Sequence, residues 1–275
     1  MQAEMASVKV AESHNVSILL DDPPTAHNEF KSMMFGLREC CIFTALTWNP
    51  IIYLNLINEF WRSANVKKGE DGSVIIEAFV KGCKVVITEQ FIMDILRMDD
   101  KSTYPTDINL GLVEKYLKKM GYKGVFPPTL KMLLPPYWRF LAHVFVNCIS
   151  GRKGGSDEIS SRNTQAIVAL AAGIDFNFSK FILEEMTTNA SKKSKDQFLL
   201  YPRFIQIFIN KQYPEMVKTG EILDMKAFGP NTVSLIKQNQ KGKIIFQGMY
   251  PFVKFGKFAE LTDSSESHGS SEQMS

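Results

Sequence analysis

Six lysines and six aromatic rings alternate between Met225 and Glu260, and no acidic residue stands among them. The lysines are Lys226, Lys237, Lys241, Lys243, Lys254 and Lys257; the rings are Phe228, Phe246, Tyr250, Phe252, Phe255 and Phe258. Lysines attract polyanions, and aromatic faces stack on bases. Lys237, Lys241, Lys243, Lys254 and Lys257 are therefore candidate phosphate contacts, with Tyr250 and Phe252, beside Phe246 and Phe255, as candidate stacking groups. RNA or DNA is the partner this pattern suggests. A stretch that only packs on its own domain, or meets another protein, is the alternative.

Other chemistry is sparse. Neither a GxxxxGK[ST] nor a GxGxxG phosphate cradle occurs, and Gly151–Ser156 reads as a basic inter-helix loop. His143 sits in an apolar helical run, where a histidine is more often a hydrogen-bonded core residue than a base. Cys148, five positions on, lies about 140° around that helix, so the two side chains diverge. Cys40, Cys41, Cys83 and Cys148 follow neither disulfide nor zinc spacing. The pairs Asp21-Asp22 and Asp99-Asp100 fall at element boundaries, the usual place of turn and capping aspartates. No catalytic residue, metal ligand, cofactor or small-molecule substrate is assigned, and a non-enzyme is expected.

A net charge of +3 conceals a polarity: residues 1–110 carry −5, residues 111–260 carry +11 and residues 261–275 carry −3. An acidic front and basic back suit a polyanion-facing second half. No apolar run approaches the roughly 18 to 20 residues of a membrane helix, and no basic-then-apolar leader opens the chain. The expected address is intracellular, in cytoplasm or nucleus.

The elements that would position these residues are mainly helical. Val16–Leu20 reads as a short strand, 28–37 as a short helix and Ile42–Leu46 as extended. Asn49-Pro50 has the form of a helix start, followed by Tyr53, Ile57, Phe60, Trp61 and Ala64 at helical spacing. Two β-branched runs, Ser73–Val80 and Cys83–Ile87, flank Lys81-Gly82 as a hairpin, and Thr88 caps the next helix to about Met98. Further helices are expected from Leu112 to Gly121, Tyr137 to Ile149, Asn163 to Ala172 behind Ser161, Lys180 to Thr187 behind Ser179, Pro202 to Lys211 and Thr232 to Asn239. Thr187–Asp196 reads as loop. The fold class is thus mainly α with one β-hairpin (α+β).

Several of these blocks resemble a known domain. The runs Trp48-Asn49-Pro50-Ile51-Ile52-Tyr53, Glu59-Phe60-Trp61-Arg62-Ser63-Ala64 and Val80-Lys81-Gly82-Cys83-Lys84-Val85-Val86-Ile87-Thr88-Glu89 match, in order, a pattern of plant retrotransposon-derived proteins. Tyr137-Trp138-Arg139-Phe140-Leu141, Phe176-Asn177-Phe178-Ser179-Lys180 and Leu200-Tyr201-Pro202-Arg203-Phe204 resemble the later blocks of the same plant transposon protein domain. Some relatives bear synaptobrevin, longin-like names, but this chain offers one hairpin where a longin fold needs a five-stranded sheet. The resemblance implies an element-encoded or domesticated protein and supplies no catalytic residues. It covers roughly 14–212, read as a helical domain with the hairpin at 73–87; by composition, 1–13 reads as disordered, 213–260 as a basic-aromatic extension and 261–275 as a disordered Ser/acidic tail. Such a protein would bind nucleic acid or assemble with itself in a gag-like manner; the alternative is an adaptor for a host protein.

Overall fold

The computed structural model describes residues 14–151, 157–192, 197–229 and 231–238, with Lys237 and Gln238 described by their backbone alone. The hairpin forms at Lys81-Gly82, where both residues take positive φ (49° and 75°), as a two-residue turn between right-twisted strands requires. Its strands, β2 (Val74–Val80) and β3 (Cys83–Ile87), are joined by a strand the sequence reading missed, β1 (Asn65–Lys68), in the antiparallel order β1-β2-β3. The signal for β1 is electrostatic: Glu77 sits between Lys67 and Lys84, and these two ammonium groups hold its carboxyl below the usual range. Alternate residues Ile76, Ala78 and Val80 are buried, while Phe79 faces out.

Helices make up the rest of the framework. They are α1 (Lys31–Glu39), preceded by a 3-10 turn over Thr25–Phe30, α2 (Phe43–Thr47), α3 (Leu54–Ser63), α4 (Glu89–Leu96) and α5 (Leu110–Lys119). Then follow α6 (Pro136–Cys148), α7 (Ser161–Ala172), α8 (Phe178–Ala190), α9 (Pro202–Gln212) and α10 (Thr232–Gln238). A two-stranded pair, β4 (Thr129–Leu130) with β5 (Glu158–Ile159), closes the turn before α6. Helices α6, α7 and α9 are buried on nearly every side, so they form the centre, while amphipathic α1, α3, α4 and α5 surround it.

Local expectations fail where tertiary partners intervene. Ile42–Leu46 is largely helical rather than extended, because Ile42, Ala45 and Leu46 share one buried side at i, i+3, i+4 spacing. Helix α3 starts at Leu54, not at Asn49-Pro50. The residues before it stay extended because Leu223 N–H donates to Ile52 O (2.9 Å), Tyr53 N–H to Gln206 Oε1 (2.9 Å) and Leu54 N–H to Glu221 O (2.9 Å). Val16–Leu20 contributes one bridge, Ile18 with Phe228, instead of a strand. Ser160 caps α7 in place of Ser161, and Asn177 caps α8 in place of Ser179. Helix α8 runs on to Ala190 through residues expected as loop, because buried Asn189 exchanges hydrogen bonds with the backbone of Phe198.

The segment after α9 returns over the domain. Phe228 N–H donates to Ser17 O at 2.8 Å and Leu19 N–H to Phe228 O at 2.7 Å, so 213–229 ties the start of the chain to its later part.

Candidate functional site

Helix α10 buries Val233 and Ile236 against α6 and the 3-10 turn, and leaves Leu235 exposed. Of the candidate nucleic-acid contacts, Lys237 falls on the backbone of α10, and its side chain lies outside the described residues. Lys241, Lys243, Tyr250, Phe252, Lys254 and Lys257 lie outside the described residues altogether, as do Phe246 and Phe255. Lys226 and Phe228, the two earlier members of the pattern, have positions, and Lys226 is exposed. Phe228 is half-buried, with its ring centroid 4.9 Å from the imidazole of His143. It is therefore a packing residue and not a platform for bases.

That contact explains His143. Burial, reinforced by the nearby charge of Lys131, lowers its pKa to about 4, so the imidazole is neutral at pH 7. Asn147, one turn on, donates through Nδ2 to the carbonyl of His143 at 2.7 Å. Cys148 is fully buried, its thiol pushed up to about 12 by burial. The two are not partners, as the helical spacing requires.

A recess of about 310 Å³ lies between the end of α1, the loop after α4 and the ends of α7 and α8. Glu39, Asp99, Asp100 and Asp175 give it four carboxyl groups. Asp100 is the buried one. Its Oδ2 accepts from the backbone N–H (2.7 Å) and the hydroxyl (2.8 Å) of Ser179, in the first turn of α8. Burial raises its pKa, and those two hydrogen bonds work against that rise. Asp100 thus satisfies the amino end of α8 from 79 positions away. Cys40 and Cys41 also line the recess. Burial raises both thiols, Cys40 to about 12, so neither offers a thiolate near neutral pH.

In the sequence Asp99-Asp100 reads as a boundary pair, and Cys40 and Cys41 follow neither disulfide nor zinc spacing. Two doublets at helix ends were the available signal, but their convergence depends on how α1, α7 and α8 pack. Chemically the recess repels anions and accepts cations. Among the described residues, no three His, Cys, Asp or Glu side chains gather so as to hold a metal ion. No helix among them is long and apolar enough to cross a membrane.

Comparison with family models, curated proteins and solved structures gives no match to this chain.

Proposed function

We propose that this chain is a non-enzymatic binding protein of retrotransposon origin that holds single-stranded nucleic acid through its basic, aromatic carboxyl-terminal half. The observation that carries this reading is the run from Met225 to Glu260, in which lysines and rings alternate without one carboxylate. Phosphates meet the lysines, and bases stack on Tyr250 and Phe252. Anchoring of α10 by Val233 and Ile236 supports the same reading, because it seats on the domain the helix that carries Lys237, the first candidate lysine. Gag-like self-assembly is the second reading, favoured by the exposed apolar residues Val125 and Met132 on the loop before α6.

The test is anisotropy of a labelled oligonucleotide of roughly 20 nucleotides, titrated with the full chain and with a variant in which Lys241, Lys243, Lys254 and Lys257 are all glutamine. Loss of the four charges should weaken binding by about 100-fold at low salt while the circular dichroism stays unchanged. Equal binding by both proteins, or none by the parent chain, would leave the adaptor reading standing.

A further inference from the structure

The turn between α5 and α6 is built from within and exposes apolar side chains outward. The hydroxyl of Tyr122 receives the N–H of Leu130 at 2.9 Å and donates to the carbonyl of Val125 at 3.2 Å. From the other side, buried Arg139 donates to three successive parts of the same turn: Lys131 O (3.2 Å), Met132 O (2.5 Å) and Leu134 O (2.9 Å). A loop held this way does not need its side chains for its own packing. Val125 is 84% exposed, Met132 67%, Leu130 38% and Leu133 36%. Apolar groups displayed on a fixed backbone mark a contact surface more strongly than the same groups on a slack loop.

Charge decides what covers it. Hydrogen bonding along β4 alternates in direction: Leu130 N–H points to Tyr122, whereas Lys131 N–H points to Asp157 O (2.7 Å). Tyr122 and the exposed Lys123 therefore border one edge of β4, and the exposed Asp157 and Glu158 border the other. Leu130 and Glu158 are directly paired and share a face. Nearby, Lys118 is matched by Glu114 within α5, and the Lys131 ammonium stands 4.0 Å from Asp157. Lys123 thus stands at one border of the apolar stripe, and the carboxylates of Asp157 and Glu158 stand at the opposite one. An anionic lipid surface would meet Asp157 and Glu158 unfavourably. A second copy turned by 180° would place each Lys123 against the other copy's acidic border, with the apolar residues between.

We infer that the surface from Lys123 to Leu133, bordered by Asp157 and Glu158, is the two-fold interface of a homodimer. It deepens the self-assembly reading and does not rest on the nucleic-acid reading, since none of these residues belongs to the basic stretch.

Sedimentation velocity on the nuclease-treated full chain tests it. The parent should dimerise with Kd below about 100 μM, and the doubly substituted Val125→Asp/Met132→Asp protein should lose at least about 100-fold in association. Both positions are exposed, so thermal unfolding should not change. Lys123→Glu and Glu158→Lys should each weaken self-association, whereas an equal mixture of the two should dimerise, since both charge contacts are then opposite in sign. A parent monomeric at about 100 μM would overturn the inference. So would a dimer indifferent to the two aspartates, or a charge-reversed mixture that associates no better than its components. Failure of oligonucleotide binding with the dimer intact would count against the nucleic-acid reading alone.

Discussion

Arg203 and Asn15 stand 188 positions apart, and Nε of the arginine donates to the asparagine carbonyl at 2.9 Å. The guanidinium is fully buried and also donates to Trp48 O (2.7 Å), Ala45 O (2.6 Å) and Cys148 O (3.2 Å). Asn15 completes the junction: its Nδ2 donates to Cys148 O (3.0 Å), and its Oδ1 receives Phe204 N–H (3.1 Å). Four remote segments, from the start of the chain, α2, α6 and α9, meet at this one cation. Burial lowers its pKa to about 10, which still leaves it charged at neutral pH.

Arg203→Ala should therefore destabilise the protein by about 3–5 kcal/mol, since it leaves carbonyls unpaired and opens a void. Arg203→Lys should recover only part of this, because an ammonium cannot fan out to four carbonyls. Urea denaturation of the three proteins checks both statements. A loss below about 1 kcal/mol for the alanine variant would show that the junction is not structural.

His143 should make stability depend on acidity. Its folded pKa, about 4, lies below the ordinary 6.5, so the unfolded chain takes up the proton first. Stability attributable to this group is complete above pH 6.5 and is lost as pH falls toward 4. His143→Gln should flatten that part of the profile, measured as midpoint against pH, while leaving the profile above pH 7 alone.

Glu185 should act with the opposite sign of pH. Its carboxylate accepts from Tyr201 hydroxyl and from Gly151 N–H (2.5 Å), yet burial raises its pKa above the usual range. The folded chain thus holds the proton more tightly than the unfolded one, and stability falls as pH rises through the elevated value. Glu185→Gln keeps an acceptor for both donors and should be more stable than the parent at neutral pH, with a flatter profile. A glutamine variant less stable than the parent at pH 7 and at pH 5 alike would contradict this.

The Phe228 ring packs on His143, and its backbone ties Ser17 to Leu19. Phe228→Ala should cost about 1–2 kcal/mol for a half-buried ring. It should also let water reach His143, so the imidazole pKa, read by NMR, should move up from about 4 toward 6.5. A pKa that stays low would show that Phe228 does not shield the imidazole.

Thiol reactivity offers a further check. Cys40 and Cys148 are both raised to about 12 by burial. At pH 8 Cys40 should alkylate in the folded protein about 1000-fold more slowly than in urea, as the thiolate fraction dictates, and Cys148, which no reagent reaches in the folded protein, more slowly still. Mass spectrometry of time-resolved iodoacetamide labelling reads each site separately.

Which features the chain announces follows from their physical range. The hairpin, the Thr88 cap and helices α4, α5, α6, α9 and α10 were legible because turn chemistry, capping and apolar spacing act within a few residues. The start of α3 was not, because Gln206, Glu221 and Leu223 hold residues 52–54 from far along the chain. Strand β1 is short and polar, and it exists only through its pairing with β2. Within the recess, Asp99 and Asp100 drew notice as a doublet, but nothing local points them at Cys40, Cys41 and Asp175. The exposed stripe around β4 has no local mark, because β4 is two residues long and its partner β5 lies beyond α6.

The dependence of oligonucleotide affinity on salt tests the central claim most directly. With four or more of the candidate lysines on phosphates, log K for a single strand should fall against log salt with a slope near −3 or steeper. The variant with Lys241, Lys243, Lys254 and Lys257 changed to glutamine should bring that slope close to zero. Tight binding with a flat slope in the parent chain, or a slope unchanged in the variant, would contradict it.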